Sequence, residues 1–278
     1  VRLINFQEYE TPAERETRLQ GFFRFVRERD PDVLILQEVN PAPTLAARIG
    51  KDLGYDVTYV VDNAGLKIGP WGPPFNFRSG QAILAKPDLN LRALGERKLS
   101  GGFGWSAWHS SIQFGEFRDA LAAAITVNGR DVLLLGVHTH HGPEADQDIR
   151  QALQVLVERG TITHARSRAI LAEFAQASAR RRNELETALS LARQTGLADA
   201  PTLLAGDFNA TPDSPELTWL KNERGFRSST GDHDPDHCLI TWDYRRNPNT
   251  HFFADFVPVN QFEPEVMSVL NKIVVEQS

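Results

Sequence analysis

Three apolar segments of the chain each end in polar side chains, and this repeated pattern restricts the fold more than any other sequence feature. PDVLILQEVN ends just after Glu38, LLLGVHTHH ends in histidines, and PTLLAGDFN ends in Asp207 and Asn209. A short, continuous apolar run bounded by turn residues is typical of a buried strand. If these strands share a sheet, their polar ends share a cleft, which is where α/β proteins often place a site.

The segments between these strands carry helical and strand patterns in mixed order. Thr11 and Pro12 fit the N-cap and first position of a helix over TPAERETRLQGFFRFVRERD. Asn-Gly predicts a hairpin turn between two later strands, residues 144–195 predict an extended helical segment, and the glycine- and aromatic-rich residues 100–111 predict a loop. Because there is no repeat and no linker, the sequence predicts one mixed α/β domain over residues 1–278.

The carboxylates at two of the strand ends have more than one interpretation. Glu38 at the end of a buried strand costs free energy unless it is paired, binds a cation or reaches solvent. Asp207 and Asn209 are two residues apart, so in an extended strand both point to the same side and toward one ligand. The alternative is an ordinary turn, since Asp and Asn both favour turns.

The histidines and the remaining polar groups suggest which ion such a site would hold. In VHTHH, His138 and His140 are expected on one side of a strand and His141 on the other, where a structural role, metal binding and catalysis are all open. The full candidate set is Asn5, Glu38, His140, Asp207 and Asn209. It is rich in oxygen and poor in sulfur, so it favours Mg²⁺ or Mn²⁺ over zinc.

Composition excludes several other classes of protein. The single cysteine, Cys238, excludes an intrachain disulfide and a multi-cysteine metal site. The net charge of −6 argues against loose, charge-driven binding to nucleic acid, although a local basic cleft is compatible with it. There is no signal-peptide pattern, and no apolar run approaches the roughly 18 residues of a membrane span, so we expect a soluble protein of unassigned compartment.

Taken in order, the strand-end motifs resemble the endonuclease/exonuclease/phosphatase superfamily. The matching motifs are a strand-end Asn (Asn5 in LINFQ), Gln-Glu after a Pro-Asp strand (Glu38), Thr-His after a strand (His140), and Gly-Asp-Phe-Asn. The resemblance spans residues 1–216. It implies a four-layer α/β sandwich of two packed mixed sheets flanked by helices.

The resemblance also implies a chemistry. Glu38 would be the main ligand of a Mg²⁺ or Mn²⁺ ion, with Asn5 beside it. The protein would be a divalent-metal-dependent hydrolase of phosphate esters, a phosphodiesterase, phosphatase or nuclease. Its substrate would be a nucleic acid, an inositol phosphate or a lipid headgroup, and neither the substrate nor the oligomeric state follows from the sequence.

Four further residues receive roles from the same resemblance. Asp207 would orient or deprotonate the attacking water, and Asn209 would hold a phosphate oxygen. His140 would contact the phosphate or act as an acid partner. Arg118 in EFRDAL would contact a phosphate, with a solvated surface arginine as the alternative.

One expected motif is not found in the sequence. The superfamily normally closes with Ser-Asp-His near the C-terminus, whereas the residues after WDY at 242–244 continue to KIVVEQS without it. We therefore expect the sandwich to lack its C-terminal closing strands. The alternative function is a non-catalytic binding domain that retains the fold.

Overall fold

The computed structural model describes residues 11–64, 66–68, 78–106, 110–141, 147–210 and 214–227. By its internal contacts the chain divides into two compact units, Val1–His140 with Asn183–Phe208, and His141–Arg182 with Asn209–Ser278. The expectation of one domain over residues 1–278 stays a prediction. The expected loss of closing strands concerns residues outside the described ranges.

The described residues form helices and strands in a mixed order. The helices are α1 (Pro12–Arg29), α2 (Ala42–Leu53), α3 (Gln147–Glu158), α4 (His164–Gln194) and α5 (Pro215–Arg224), with a short 3₁₀ turn at Pro87–Leu89. The strands are β1 (Val33–Val39), β2 (Asp56–Asn63), β3 (Lys67–Ile68), β4 (Ser79–Ala85), β5 (Arg92–Ser106), β6 (Ser110–Val127), β7 (Arg130–His138) and β8 (Thr202–Asp207). Two helices within residues 144–195 confirm the predicted helical segment.

The strands of the first unit form two sheets. The first has the order β1-β4-β2 and is antiparallel, while the second has the order β3-β6-β7-β8 with β5 paired to β6. Strands β7 and β8 are parallel, and all other pairs in the second sheet are antiparallel. Both the predicted Asn-Gly hairpin, between β6 and β7, and the predicted mixed α/β pattern are confirmed.

The predicted loop at residues 100–111 is wrong over most of its length. Strand β5 continues to Ser106 and β6 begins at Ser110. Gly101 and Gly104 have φ values of +114° and +129°, and the pairing of β5 with β6 shifts register on both sides of Gly101. Glycines at irregular positions of a ribbon, which the sequence alone suggests are turn residues, here allow the strand to continue through bulges.

The two sheets pack face to face and are flanked by helices, as predicted. Buried side chains of Val60 and Ile83 from the first sheet meet Leu121 and Leu134 from the second. On the outer face of the first sheet, α1 and α2 contribute a second apolar cluster that includes Phe23. Beside the second sheet, residues 183–194 of α4 contact β5, where the side chain of Arg97 donates to Gln194. The two sheets therefore share one apolar core.

The second unit is helical where it is described. Buried apolar side chains of α3 and the first half of α4 form its core, namely Ala152, Leu153, Leu156, Ile170 and Phe174. The fully buried Arg181 of α4 forms an ion pair with the fully buried Glu216 of α5. Ser214 caps α5 by accepting from the backbone N of Leu217 at 3.3 Å, as its Ser-Pro start predicts. In the described part of the chain, no helix combines the length and hydrophobicity that crossing a membrane requires.

Candidate active site

Glu38 lies in a β-bulge near the end of β1. Leu36 pairs with Ala82 and Val39 pairs with Gly80, so β1 has one more residue than β4 between these two pairs. Glu38 itself has φ +55°, a backbone conformation that costs a non-glycine residue on the order of 1 kcal/mol. Bulges commonly re-aim a side chain next to a functional site. Here the bulge takes Glu38 out of the regular ladder, and its side chain is exposed rather than buried in the core.

Asp207 is the last residue of β8, and the glycine before it explains its position. Gly206 has φ +147°, and a Cβ built on it would lie 1.9 Å from the carbonyl oxygen of Val137 in β7. No side chain fits in that space, so only glycine lets β8 approach β7 this closely. The backbone N of Thr139 also donates to the carbonyl oxygen of Asp207 at 2.9 Å. The glycine of the Gly-Asp pair is therefore required by the packing of the two strands.

His138 faces Asp207 across the parallel strands and is the residue around which the site is built. The two residues pair in the register of β7 and β8, and His138 Nε2 lies 3.9 Å from Asp207 Oδ2. Arg118 Nη1 lies 2.9 Å from His138 Nε2 and 3.1 Å from Nδ1. Arg118 is only 6% exposed and His138 4%. The alternative of a solvated surface arginine at position 118 is therefore wrong.

The strand register connects the bulge of the first sheet to Asp207 in the second. Gln81 of β4 lies beside the bulge, is fully buried, and donates from Nε2 to the carbonyl oxygen of Asp119 at 2.5 Å. The antiparallel register of β6 and β7 pairs Ala120 with Val137, so its continuation by one residue brings Asp119 opposite His138, which in turn pairs with Asp207. Glu38 and Asp207 therefore end their strands at the same end of the two packed sheets.

Buried carboxyl groups lie next to this site, and the sequence analysis missed them. Burial raises the pKa of Asp119 to about 7, with Glu96 raising it further and Lys98 opposing the shift. Burial likewise raises the pKa of Asp62 well above its usual range, with Asp119 adding to the effect and Arg118 opposing it. One sequence feature points to these buried carboxyl groups, namely an acidic residue within an apolar strand pattern: Asp62 in TYVVDN and Asp119 in FRDALAAA.

His140 follows the end of β7 and is held through its backbone. Its backbone N donates to Glu184 Oε2 at 2.6 Å, and the other carboxylate oxygen of Glu184 accepts from the hydroxyl of Ser100. This contact fixes the chain direction after β7. The catalytic role assigned to His140 stays a prediction.

Two of the sequence-predicted residues lie elsewhere. Asn5 is outside the described residues. Asn209 begins the second of the two chain segments that form the second unit, and it has φ +45°, a conformation in which Asn is several-fold enriched. The structure thus brings Arg118 and Asp207 together around His138, with Glu38 at the same end of the sheets, and leaves the roles of Asn5 and Asn209 as predictions.

The donors at this end of the sheets fit a hard divalent cation. Glu38 and Asp207 both carry exposed carboxylates, and Mg²⁺ is usually bound through one or two carboxylates while it keeps several waters. Within the described ranges, no group of three or more His, Cys, Asp or Glu side chains is arranged to hold a metal ion. The identity of the ion as Mg²⁺ or Mn²⁺ stays a prediction.

Solved structures that are similar to this chain have low sequence identity to it. The human Nocturnin catalytic domain with bound sulfate is 18% identical with a TM-score of 0.44, and the match covers 74% of this chain and 62% of that one. The 2',3'-cyclic phosphatase ANGEL2 is 15% identical with a TM-score of 0.44, covering 73% and 47%. A mannosyl-6-phosphatase of Bacteroides thetaiotaomicron VPI-5482 is 16% identical with a TM-score of 0.45, covering 76% and 62%. The chain thus spans about half to two thirds of the length of these structures.

The family comparison matches most of the chain, whereas curated proteins give no match. The model of the Endonuclease/Exonuclease/phosphatase family aligns with residues 4–257. This range includes all four strand-end motifs of the sequence and the whole of both described sheets. The chain belongs to the Endonuclease/Exonuclease/phosphatase family.

Proposed function

We propose that this protein is a divalent-metal-dependent hydrolase of phosphate esters, of the phosphodiesterase, phosphatase or nuclease type. The proposal is carried by one observation, the common location of Glu38 and Asp207 at the same end of the two packed sheets. Exposed carboxylates repel a phosphate unless a cation lies between them, so the proposed activity depends on a divalent metal ion. The substrate is a nucleic acid, an inositol phosphate or a lipid headgroup phosphate.

In the proposed reaction, Asp207 acts on the attacking water. The water oxygen forms a bond to phosphorus, the bond from phosphorus to the leaving oxygen breaks, and the water proton passes to the Asp207 carboxylate. In-line attack requires the water and the leaving oxygen on opposite sides of phosphorus, so the carboxylate must be held in one direction.

The remaining residues hold the phosphate. Asn209 donates its amide N–H to a phosphate oxygen, and His140 contacts the phosphate or supplies a proton to the leaving oxygen. Arg118 places a permanent positive charge beside Asp207 and the phosphate. Each of these groups stabilises negative charge that develops in the transition state.

Glu38, with Asn5, would hold the Mg²⁺ or Mn²⁺ ion. A bound divalent cation neutralises charge that builds up on the phosphate and leaving oxygens. The bulge at Glu38 supports this assignment, because strained backbone at a non-glycine residue persists where the surrounding structure enforces it and is common at functional sites.

The test is hydrolysis of bis-p-nitrophenyl phosphate and p-nitrophenyl phosphate with Mg²⁺ or Mn²⁺. We expect Glu38→Gln and Asp207→Asn each to lower kcat/KM by about 100-fold or more, and EDTA to abolish activity. Glu28→Gln and Asp56→Asn remove exposed charges outside the site and serve as matched controls. The ratio of diester to monoester hydrolysis separates a phosphodiesterase from a phosphatase.

A non-catalytic binding domain that retains the fold is the second candidate. It predicts binding of a phosphate ester that is weakened by Asp207→Asn, with no turnover above that of the variants. Activity in the unmodified chain that is equal to activity in Glu38→Gln and Asp207→Asn would exclude the enzyme proposal.

A further inference from the structure

His138 is buried between a fixed cation and a carboxylate. It is 4% exposed, with Arg118 Nη1 at 2.9 and 3.1 Å from its ring nitrogens and Asp207 Oδ2 at 3.9 Å from Nε2. A buried polar ring needs hydrogen-bond partners, because an unmade bond in the interior costs about 1–3 kcal/mol. Arg118 lies close enough to supply one of these partners.

The charge on Arg118 restricts how the ring can bond. A guanidinium only donates hydrogen bonds and stays charged, so the ring nitrogen that it contacts must be an acceptor. An imidazole that accepts through one nitrogen carries its single proton on the other. Arg118 Nη1 lies 2.9 Å from Nε2 and 3.1 Å from Nδ1, so distance allows either nitrogen to accept, and Asp207 decides between them. A proton on Nε2 is attracted by the nearby carboxylate of Asp207, whereas a lone pair there would be repelled by it. Nδ1 is therefore the acceptor, and the Nε2–H group faces Asp207.

The gap to Asp207 is small enough to close. At 3.9 Å the two atoms are beyond hydrogen-bond distance, and a movement of about 1 Å would bring them within it. Asp207 can make that movement because its side chain is 52% exposed, whereas His138 and Arg118 are held in the core. One carboxylate oxygen would then be fixed and the other left toward the reacting water.

We propose that His138 is a positioning residue that transmits the fixed position and charge of Arg118 to the carboxylate of Asp207. This inference rests on the proposed function, in which Asp207 acts on water. His138 does not touch the reacting atoms, so its effect is on the orientation of Asp207. Outer-shell partners of this kind typically change activity by about 10–100-fold.

The test compares His138→Leu with His138→Asn by steady-state kinetics on bis-p-nitrophenyl phosphate. We expect His138→Leu to lower kcat by about 10–100-fold with KM changed by less than about threefold, because an effect confined to the transition state lowers kcat alone. His138→Asn offers an amide oxygen to Arg118 and an amide N–H to Asp207, so we expect it to recover most of the loss.

Val137→Ala is the matched control for lost stability. Val137 is buried on the same strand, and its side chain points to the face opposite that of His138. We expect Val137→Ala to lower the free energy of unfolding without lowering kcat. Unchanged kcat in His138→Leu, a rise in KM alone, or an equal fall of kcat in Val137→Ala would each overturn the inference.

A second measurement does not depend on activity. The ¹H–¹⁵N spectrum of the histidine rings reports which nitrogen of His138 carries the proton, and we expect Nε2–H with a resonance that moves in Asp207→Asn. An Nδ1–H ring, or a resonance insensitive to Asp207→Asn, would overturn the positioning role. An inactive protein with the expected spectrum would contradict the proposed function and leave the coupling of His138 to Asp207 intact.

Discussion

Asp119→Asn tests how burial controls the charge of the polar groups beneath the site. Asp119 is 7% exposed, and burial raises its pKa from 3.8 to about 7. Because the pKa in the folded state is above that in the unfolded state, the folded state binds the proton more tightly. The stability that the folded protein gains by binding this proton is therefore complete below about pH 4 and is lost as the pH rises through 7.

The size of the effect follows from the same shift. A difference of about 3 pKa units at roughly 1.4 kcal/mol each corresponds to about 4 kcal/mol of stability lost between pH 4 and pH 8. About 3 kcal/mol of this falls between pH 5 and pH 7, a span of two units. An asparagine is neutral at every pH and does not suffer this loss, so Asp119→Asn should be more stable than the unmodified protein at pH 8.

Urea denaturation at pH 5 and pH 8 measures the difference directly. We expect the gain from Asp119→Asn to be larger at pH 8 than at pH 5 by about 3 kcal/mol. Asp56→Asn, on the exposed end of strand β2, controls for a general effect of removing one negative charge. A gain that is equal at both pH values, or a loss at pH 8, would refute the argument that burial keeps this carboxyl protonated.

Two further predictions concern packing. Gly206→Ala should lower the free energy of unfolding by about 3 kcal/mol or more and reduce kcat, because the new Cβ would displace β8, and Asp207 with it, from Val137. Denaturation and kinetics check this, and an active variant of unchanged stability would contradict the close approach. Glu216→Gln should cost about 3–5 kcal/mol, since it removes the buried carboxylate that Arg181 contacts. Replacing both residues by Leu should cost less, and a double variant that is no better than the single one would contradict the pairing.

Local signals in the sequence predicted the helices and turns well. Thr11 accepts from the backbone N of Glu14, and the Glu14 side chain accepts from the backbone N of Thr11, as a helix that starts with Thr-Pro and a nearby Glu should do. Asn128 and Gly129 both have positive φ, as a two-residue hairpin requires. These features depend on residues a few positions apart, so the sequence is sufficient to locate them.

The polar groups of the candidate site were harder to predict. The strand ends at Glu38 and Asp207 could be recognised in the sequence as apolar runs that stop in carboxylates. Strand β2 was not predicted, and the buried Asp62 that it carries was therefore missed. The contact of Arg118 with His138 depends on the pairing of β6 with β7. The pairing of His138 with Asp207 depends on the parallel register of β7 with β8, which are separated in the chain by α3 and α4. Long-range register of this kind follows from the assembled sheet rather than from spacing.

The most direct test of the proposed site is the location of a bound Mn²⁺ ion. A crystal of the protein soaked in Mn²⁺, with data collected at the manganese absorption edge, gives the position of the ion independently of activity. We expect an anomalous peak at coordination distance from a carboxylate oxygen of Glu38, at the end of the sheets where Asp207 lies, and no peak there in Glu38→Gln. A manganese ion bound away from Glu38, or one that binds equally well in Glu38→Gln, would contradict the proposed site.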